Sequence, residues 1–415
     1  MSAHLNLSTG KFLNSSTLYK LSDALLLDVS SGEIVMSNLL VPRAGVDLFK
    51  LASLDLNFAQ YKALTDRVSG NNLITFSRAS SGTYVGSDGL IKTATSDTPR
   101  FDHDPSTGKS LGLLVEENRT NLLQQSEDYS TTWTRFNVNA SVNAITAPDG
   151  TTTADKLVEN SSNNFHRVRQ GISSGVTGTF SIFLKADERN RVNLGTSDTN
   201  LIAQFDLSAG SIVSGTGSIQ SFGNGWYRCS ISSTFTSSGP YLLLRNSSSE
   251  FYTGDGTSGV YAWGAQLEAN ATFATSYIPT SGSSVTRSAD IASITGSNFS
   301  SWYNQSEGTV FVKSSYVGLS SSSTGRIYDI NDGTTSNRHH LIIRGANNDL
   351  RVQTRKNSVD GFSESFSVPA VNNLFSNALG YKLNDCASSL DGGNTVNDNT
   401  VLIPTVDRCL LEHKI

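Results

Sequence analysis

Apolar and polar positions alternate with a period of two through most of this chain. Residues 179–185 (TFSIFLK), 201–207 (LIAQFDL), 225–231 (GWYRCSI) and 241–245 (YLLLR) each read as a strand with one apolar face. The clearest case is 252–268, YTGDGTSGVYAWGAQLE. A glycine-rich turn at Gly254-Asp255-Gly256 supplies the positive-φ positions of a tight reversal. Val260, Ala262 and Gly264 then alternate with Tyr261, Trp263 and Ala265. This stretch is expected to be the closing strand of a β-sandwich that spans 124–280, with polar turns between short strands.

Similar runs recur after a Ser/Gly-rich joint. Residues 308–313 (GTVFVK), 325–330 (GRIYDI), 340–344 (HLIIR) and 350–354 (LRVQT) predict a second sandwich over 296–415, with 281–295 as a linker. Upstream, Tyr84-Val85 and Leu90-Ile91 flank an Asp-Gly turn, a hairpin signal within a connecting region at 71–123. Residues 1–70 form a short mixed segment. It holds a small hairpin between Leu25-Leu26-Leu27 and Ile34-Val35-Met36, and a short helix in the second half of 51–68. The fold class expected is mainly β: two β-sandwich, jelly-roll-type modules in tandem behind an N-terminal docking segment.

Composition narrows the function. Charged residues are 16% and hydrophobics 37% of 415 residues, too little charge for a mostly helical protein. A net charge of −5 with no basic block excludes nucleic acid as an expected partner. No run approaches the roughly 20 apolar residues of a membrane helix. Cys229, Cys386 and Cys409 are odd in number and far apart, which reads as three small buried residues. No nucleophile elbow, phosphate-cradling loop or zinc-helix spacing occurs, so the chain is not expected to be an enzyme.

Candidate glycan contacts come from aromatic and directional polar side chains. A sugar's apolar face stacks on an indole, which brings in Trp133, Trp226 and Trp263. Trp226 neighbours Cys229 in strand sequence and reads as core, as does Trp263. Trp133 lies in a turn-rich stretch and is kept as a site candidate. His166, Arg167 and Arg169 in FHRVRQ, with Tyr241, Arg245 and Tyr252, complete the set, since Arg and His donors match sugar hydroxyls. The triple Asp102-His103-Asp104 reads as a turn before Pro105, because adjacent strand residues point to opposite faces.

Four phrases carry a family resemblance: 111–133 (LGLLVEENRTNLLQQSEDYSTTW), 221–232 (SFGNGWYRCSIS), 252–268, and 273–290 (FATSYIPTSGSSVTRSAD). Together they resemble the carbohydrate-binding-module-like jelly roll of phage virion proteins. The region after Ile291, with 380–393 (GYKLNDCASSLDGG), resembles the concanavalin-like or laminin G-like sandwich that often follows it. The resemblance implies a non-enzymatic tail-fibre or adhesin protein at the virion surface. Residues 1–70 would dock onto other virion proteins, and the modules would touch host-surface glycan. A capsid head fibre or decoration protein, and a glycan-cleaving tailspike, are the alternatives. Fibres of this kind are commonly homo-oligomers, often trimers. Related jelly rolls hold a structural calcium between first and last strands, which implies Glu127, beside Asp128, and Glu268 as ligands; no other cofactor is expected. In such sandwiches the phrase at 401–408 (VLIPTVDR) leads into further strands, so the second module is expected to be incomplete or closed by a neighbouring strand.

Overall fold

The fold is that of a computed structural model, which describes residues 2–8, 25–28, 33–36, 52–197, 200–318 and 324–411. It is mainly β, and the chain divides into two compact units. Arg78–Ser110 with Asn118–Ala289 make the jelly roll. The described residues up to Ser77, with Leu111–Glu117 and the chain from Asp290, make the second sandwich.

The jelly roll is two antiparallel sheets face to face. One runs Val138–Ile145, Ala154–Glu159, Gly259–Ala269, Val176–Ala186, Trp226–Phe235, Ser218–Ser221. The other runs Thr134–Phe136, Asn163–Arg169, Tyr241–Arg245, Arg191–Gly195, Leu201–Asp206, Ser211–Gly215. Alternate residues of both sheets fill the space between: Leu157, Phe180, Ile182, Cys229 and Leu267 from the first; Val168, Val192, Leu194, Phe205, Leu242 and Leu244 from the second. Truncating one of these buried side chains to alanine costs about 2–5 kcal/mol.

The strand Gly259–Ala269 lies in the middle of its sheet, not at its closing edge. Its alternation also breaks. The register shifts between Ser181 and Phe183, so Ala265 joins Val260 and Ala262 in the inter-sheet core. Gly264 makes this bulge, at φ +62, where an added Cβ would sit 2.8 Å from the Phe183 ring. Trp263 therefore stays on the outer face with Trp226, Phe183, Tyr277 and Ile91, in a second small core. The expected hairpin is present: Gly82–Val85 pairs with Ile91–Ala94, and Ile91 packs into that core.

The second sandwich is closed from within the chain. Ser2–Ser8 pairs with Glu307–Ser315 on one side and Leu54–Leu56 on the other, and meets Leu113 and Leu114. In the facing sheet Thr75–Ser77 pairs with Ile291–Thr295, and Arg408–Leu411 lies between Ile291–Thr295 and Thr324–Asn331. Strands from the first 77 residues thus pair into both sheets of this module. The stretch expected as a linker holds two strands, Val285–Arg287 and Ile291–Thr295. About half of the expected docking segment, 1–70, lies outside the described residues. Within it, Leu25–Asp28 and Glu33–Met36 pair as a hairpin, and a one-turn helix spans Phe58–Tyr61. All three cysteines are buried and free. Among the described residues no helix is long and apolar enough to cross a membrane.

Candidate functional site

Strand parity decides which candidates meet. In Asn163–Arg169, Val168 and His166 point to the inter-sheet side, so Phe165, Arg167 and Arg169 share the outer face. Cross-strand pairing extends that face. Arg169 stands between Thr134 and Tyr241, and Arg167 between Phe136 and Leu243. Leu243 is opposite Asn193, which is opposite Gln204; Arg245 is opposite Arg191, which is opposite Asp206. One sheet face thus brings together Arg167, Arg169, Tyr241 and Arg245.

Stacking holds the guanidinium groups. Arg167 lies 4.2 Å from the Phe136 ring centre and 5.8 Å from that of Tyr241. Arg169 lies 5.6 Å from Tyr241 and 5.8 Å from Phe136. Phe136 and Tyr241 therefore flank both cations, an arrangement worth about 0.5–2 kcal/mol per contact. Arg245 pairs with Glu250, and Arg191 with Asp206 at 3.5 Å. At the rim Phe165 meets Phe251 edge-on, with ring centres 5.4 Å apart, and Phe251 is 49% exposed.

The other candidates are elsewhere. Trp133 is buried against Tyr129 and donates its indole N–H to Gln125 O. His166 is fully buried between the carbonyls of Asn137 and Tyr252. Tyr252 is buried with its hydroxyl donating to Glu159 at 2.6 Å. None of the three has a side chain on the outer face, because each sits on the inward parity of its strand or in the core. Trp226 and Trp263 belong to the second small core, as expected. The triple expected as a turn before Pro105 is not one: Asp102 and His103 end the strand Arg100–His103, and the turn follows, at 105–107, where Asp104 accepts from the N–H groups of Ser106 and Thr107. Phe136, Phe165, Phe251 and Asn193 are face residues that sequence reasoning missed. The signal was there for Phe251: it neighbours Tyr252, and neighbours in a strand alternate.

A buried ionic cluster stands at one end of the jelly roll. Glu159, fully buried, accepts from Arg189 through both oxygens and from Tyr252 Oη. Burial pushes its carboxyl up, but Arg189 and Tyr252 outweigh it and the net shift is downward.

A cleft of about 570 Å³, also in the jelly roll, is lined by Gln125, Glu127, Asp128, Asp155 and Thr280 among others. Burial raises the carboxyls of Glu127 and Asp155. Each already accepts hydrogen bonds from nearby groups. Asp155 accepts from the backbone N–H groups of Tyr129 and Asn143, and Asp128 from Ser130 and Thr131. Glu127 accepts from Tyr277 Oη. These carboxylates hold loop backbone and hydroxyl groups in place.

The expected calcium ligands do not fit that ion. Glu268 is fully buried, accepts from the N–H and hydroxyl of Thr275, and lies near the Arg228 guanidinium. A carboxylate already balanced by a cation leaves little for a metal that needs six to eight oxygens. Among the described residues no group of three or more His, Cys, Asp or Glu is placed to hold a metal.

The second sandwich also carries arginines on an outer face. Arg338, His340, Ile342 and Arg344 alternate with the inward Leu341 and Ile343. Asp329 pairs with Arg338 at 3.3 Å and with Arg326 at 3.5 Å. Arg344 pairs with Asp349, and Arg351 and Arg355 with Asp360. His340 is buried beneath them, and His339 is buried inward against the Tyr381 ring. Burial lowers both imidazoles to about 3, with Arg338 adding to the effect on His340.

No family model and no curated protein matches the chain. Among solved structures it is similar to domains LG4-5 of the mouse laminin alpha1 chain, at 10% identity and a TM-score of 0.18, over 70% of this chain and 84% of that one. A likeness at that level carries neither fold nor function.

Proposed function

We propose that this chain is a non-enzymatic phage virion protein, displayed as part of a tail fibre or adhesin, whose jelly roll binds host-surface glycan. The observation that supports it is the outer face that gathers Arg167, Arg169, Tyr241 and Arg245 on one rigid sheet. Directional donors held on a pre-formed surface suit hydroxyl-rich ligands and need little reorganisation to bind. The carboxylates of the cleft are committed to loop contacts, which favours display over cleavage. In this reading residues 1–70 contact other virion proteins, the protein sits at the virion surface, and it assembles as a homo-oligomer. Since the second sandwich supplies its own closing strands, assembly would use surface contacts instead of strand exchange. A glycan array on the full chain tests the binding role, with Arg167→Ala/Arg169→Ala as control. Binding lost in that variant is the expected result; an array with no signal ends the reading.

A further inference from the structure

We propose that the glycan bound by this face is acidic, carrying carboxylates on its sugar rings, with Arg169 as the residue that grips them. This rests on the glycan-binding reading above and narrows it. The chain as a whole is negative, at −5, yet this face sets Arg169 beside Arg191 and Arg245, whose partners are Asp206 and Glu250. Those two carboxylates are taken by Arg191 and Arg245. Arg169 has no carboxylate partner among the described residues, and its buried Nε has no hydrogen-bond partner.

Its setting fixes its orientation. Phe136 and Tyr241 lie on either side, 5.8 and 5.6 Å from the guanidinium carbon. A planar fork held by rings offers parallel N–H groups at its edge. A carboxylate accepts two of them at once, whereas a neutral hydroxyl accepts one. The neighbouring position on this strand, Arg167, adds positive potential about 7 Å along the same face.

The test titrates the full-length protein with polygalacturonate, its methyl ester and dextran by calorimetry at low salt. The acid is expected to bind at least about tenfold tighter than the ester, a difference expected of charge-assisted bidentate contacts. The preference should shrink in 0.5 M salt, as exposed charge contacts are screened at roughly that ionic strength. Arg169→Gln should remove most of it. Arg169→Lys should keep a part, since charge remains without the fork. Thermal melting of each variant shows whether the fold is intact. Equal affinity for acid and ester would overturn the acidic assignment while leaving glycan binding itself standing. An undiminished preference in folded Arg169→Gln would overturn the site. Absence of binding by all three polymers would also overturn this proposal, while the array result decides the parent reading separately.

Discussion

Both sandwiches place arginines on an outer sheet face, and the two faces differ in what lies beside them. On the jelly roll, Arg167 and Arg169 are flanked by Phe136 and Tyr241. On the second sandwich, Arg326, Arg338, Arg344, Arg351 and Arg355 are matched to Asp329, Asp349 and Asp360. An aromatic neighbour meets a guanidinium by its face and itself takes none of the in-plane donors. An aspartate takes the donors themselves. The same residue type on a sheet face is thus set against aromatic rings in one unit and against aspartates in the other.

The largest effect that separates them is expected at Asp329. It is 1% exposed and pairs with two arginines, one of them buried. Removing one partner of such a group leaves buried charge uncompensated, so Asp329→Ala should destabilise the second sandwich by about 3–5 kcal/mol. Chemical denaturation followed at Trp302, the tryptophan of that unit, measures it; a loss below about 1 kcal/mol would mean that the network behaves as an exposed one.

Acid comes next. His339 and His340 are neutral in the folded state, with values near 3, while the unfolded chain takes up protons below about 6.5. Their contribution is fully present above about pH 6.5 and is lost as pH falls toward 3, by a few kcal/mol in all. The depressed carboxyls of Asp349 and Asp360 add to the loss only below about 4. Stability reported by Trp302 should therefore fall between pH 6.5 and 4.5. His339→Gln/His340→Gln should flatten that slope; an unchanged slope would reassign it.

Smaller effects test the jelly-roll side. Arg169→Gln should cost less than about 1 kcal/mol of stability, because stacking at a part-exposed site is weak. It should still impair glycan binding, so a large loss of stability would place Arg169 among the structural residues. The smallest effect is expected for Arg355→Gln, at about 0.5 kcal/mol or less, since the pair with Asp360 is partly exposed and Arg351 remains beside it.

The strands were legible because alternation is a local property. Tyr241–Arg245 begins and ends where the sequence pattern does, and Trp226–Phe235 and Thr324–Asn331 begin within a residue of it. The site was half legible for the same reason. Arg167, Arg169, Tyr241 and Arg245 share a parity, but parity does not say which face meets the core, so His166 and Tyr252 were grouped with residues that point the opposite way. Trp133 misled because a turn-rich stretch can still fold its indole inward. The closing of the second sandwich left no trace in the pattern. Ser2–Ser8 and Glu307–Ser315 are partners some three hundred residues apart, and nothing in either segment names the other.

That long-range pairing orders events during synthesis. The jelly roll has all of its strands once Val285–Arg287 has emerged, whereas Thr75–Ser77 must wait for Ile291–Thr295 and Ser2–Ser8 for Glu307–Ser315. Ser2–Ser8 and Thr75–Ser77 are therefore left with unsatisfied edges while an entire domain forms after them, a delay that exposes them to wrong partners.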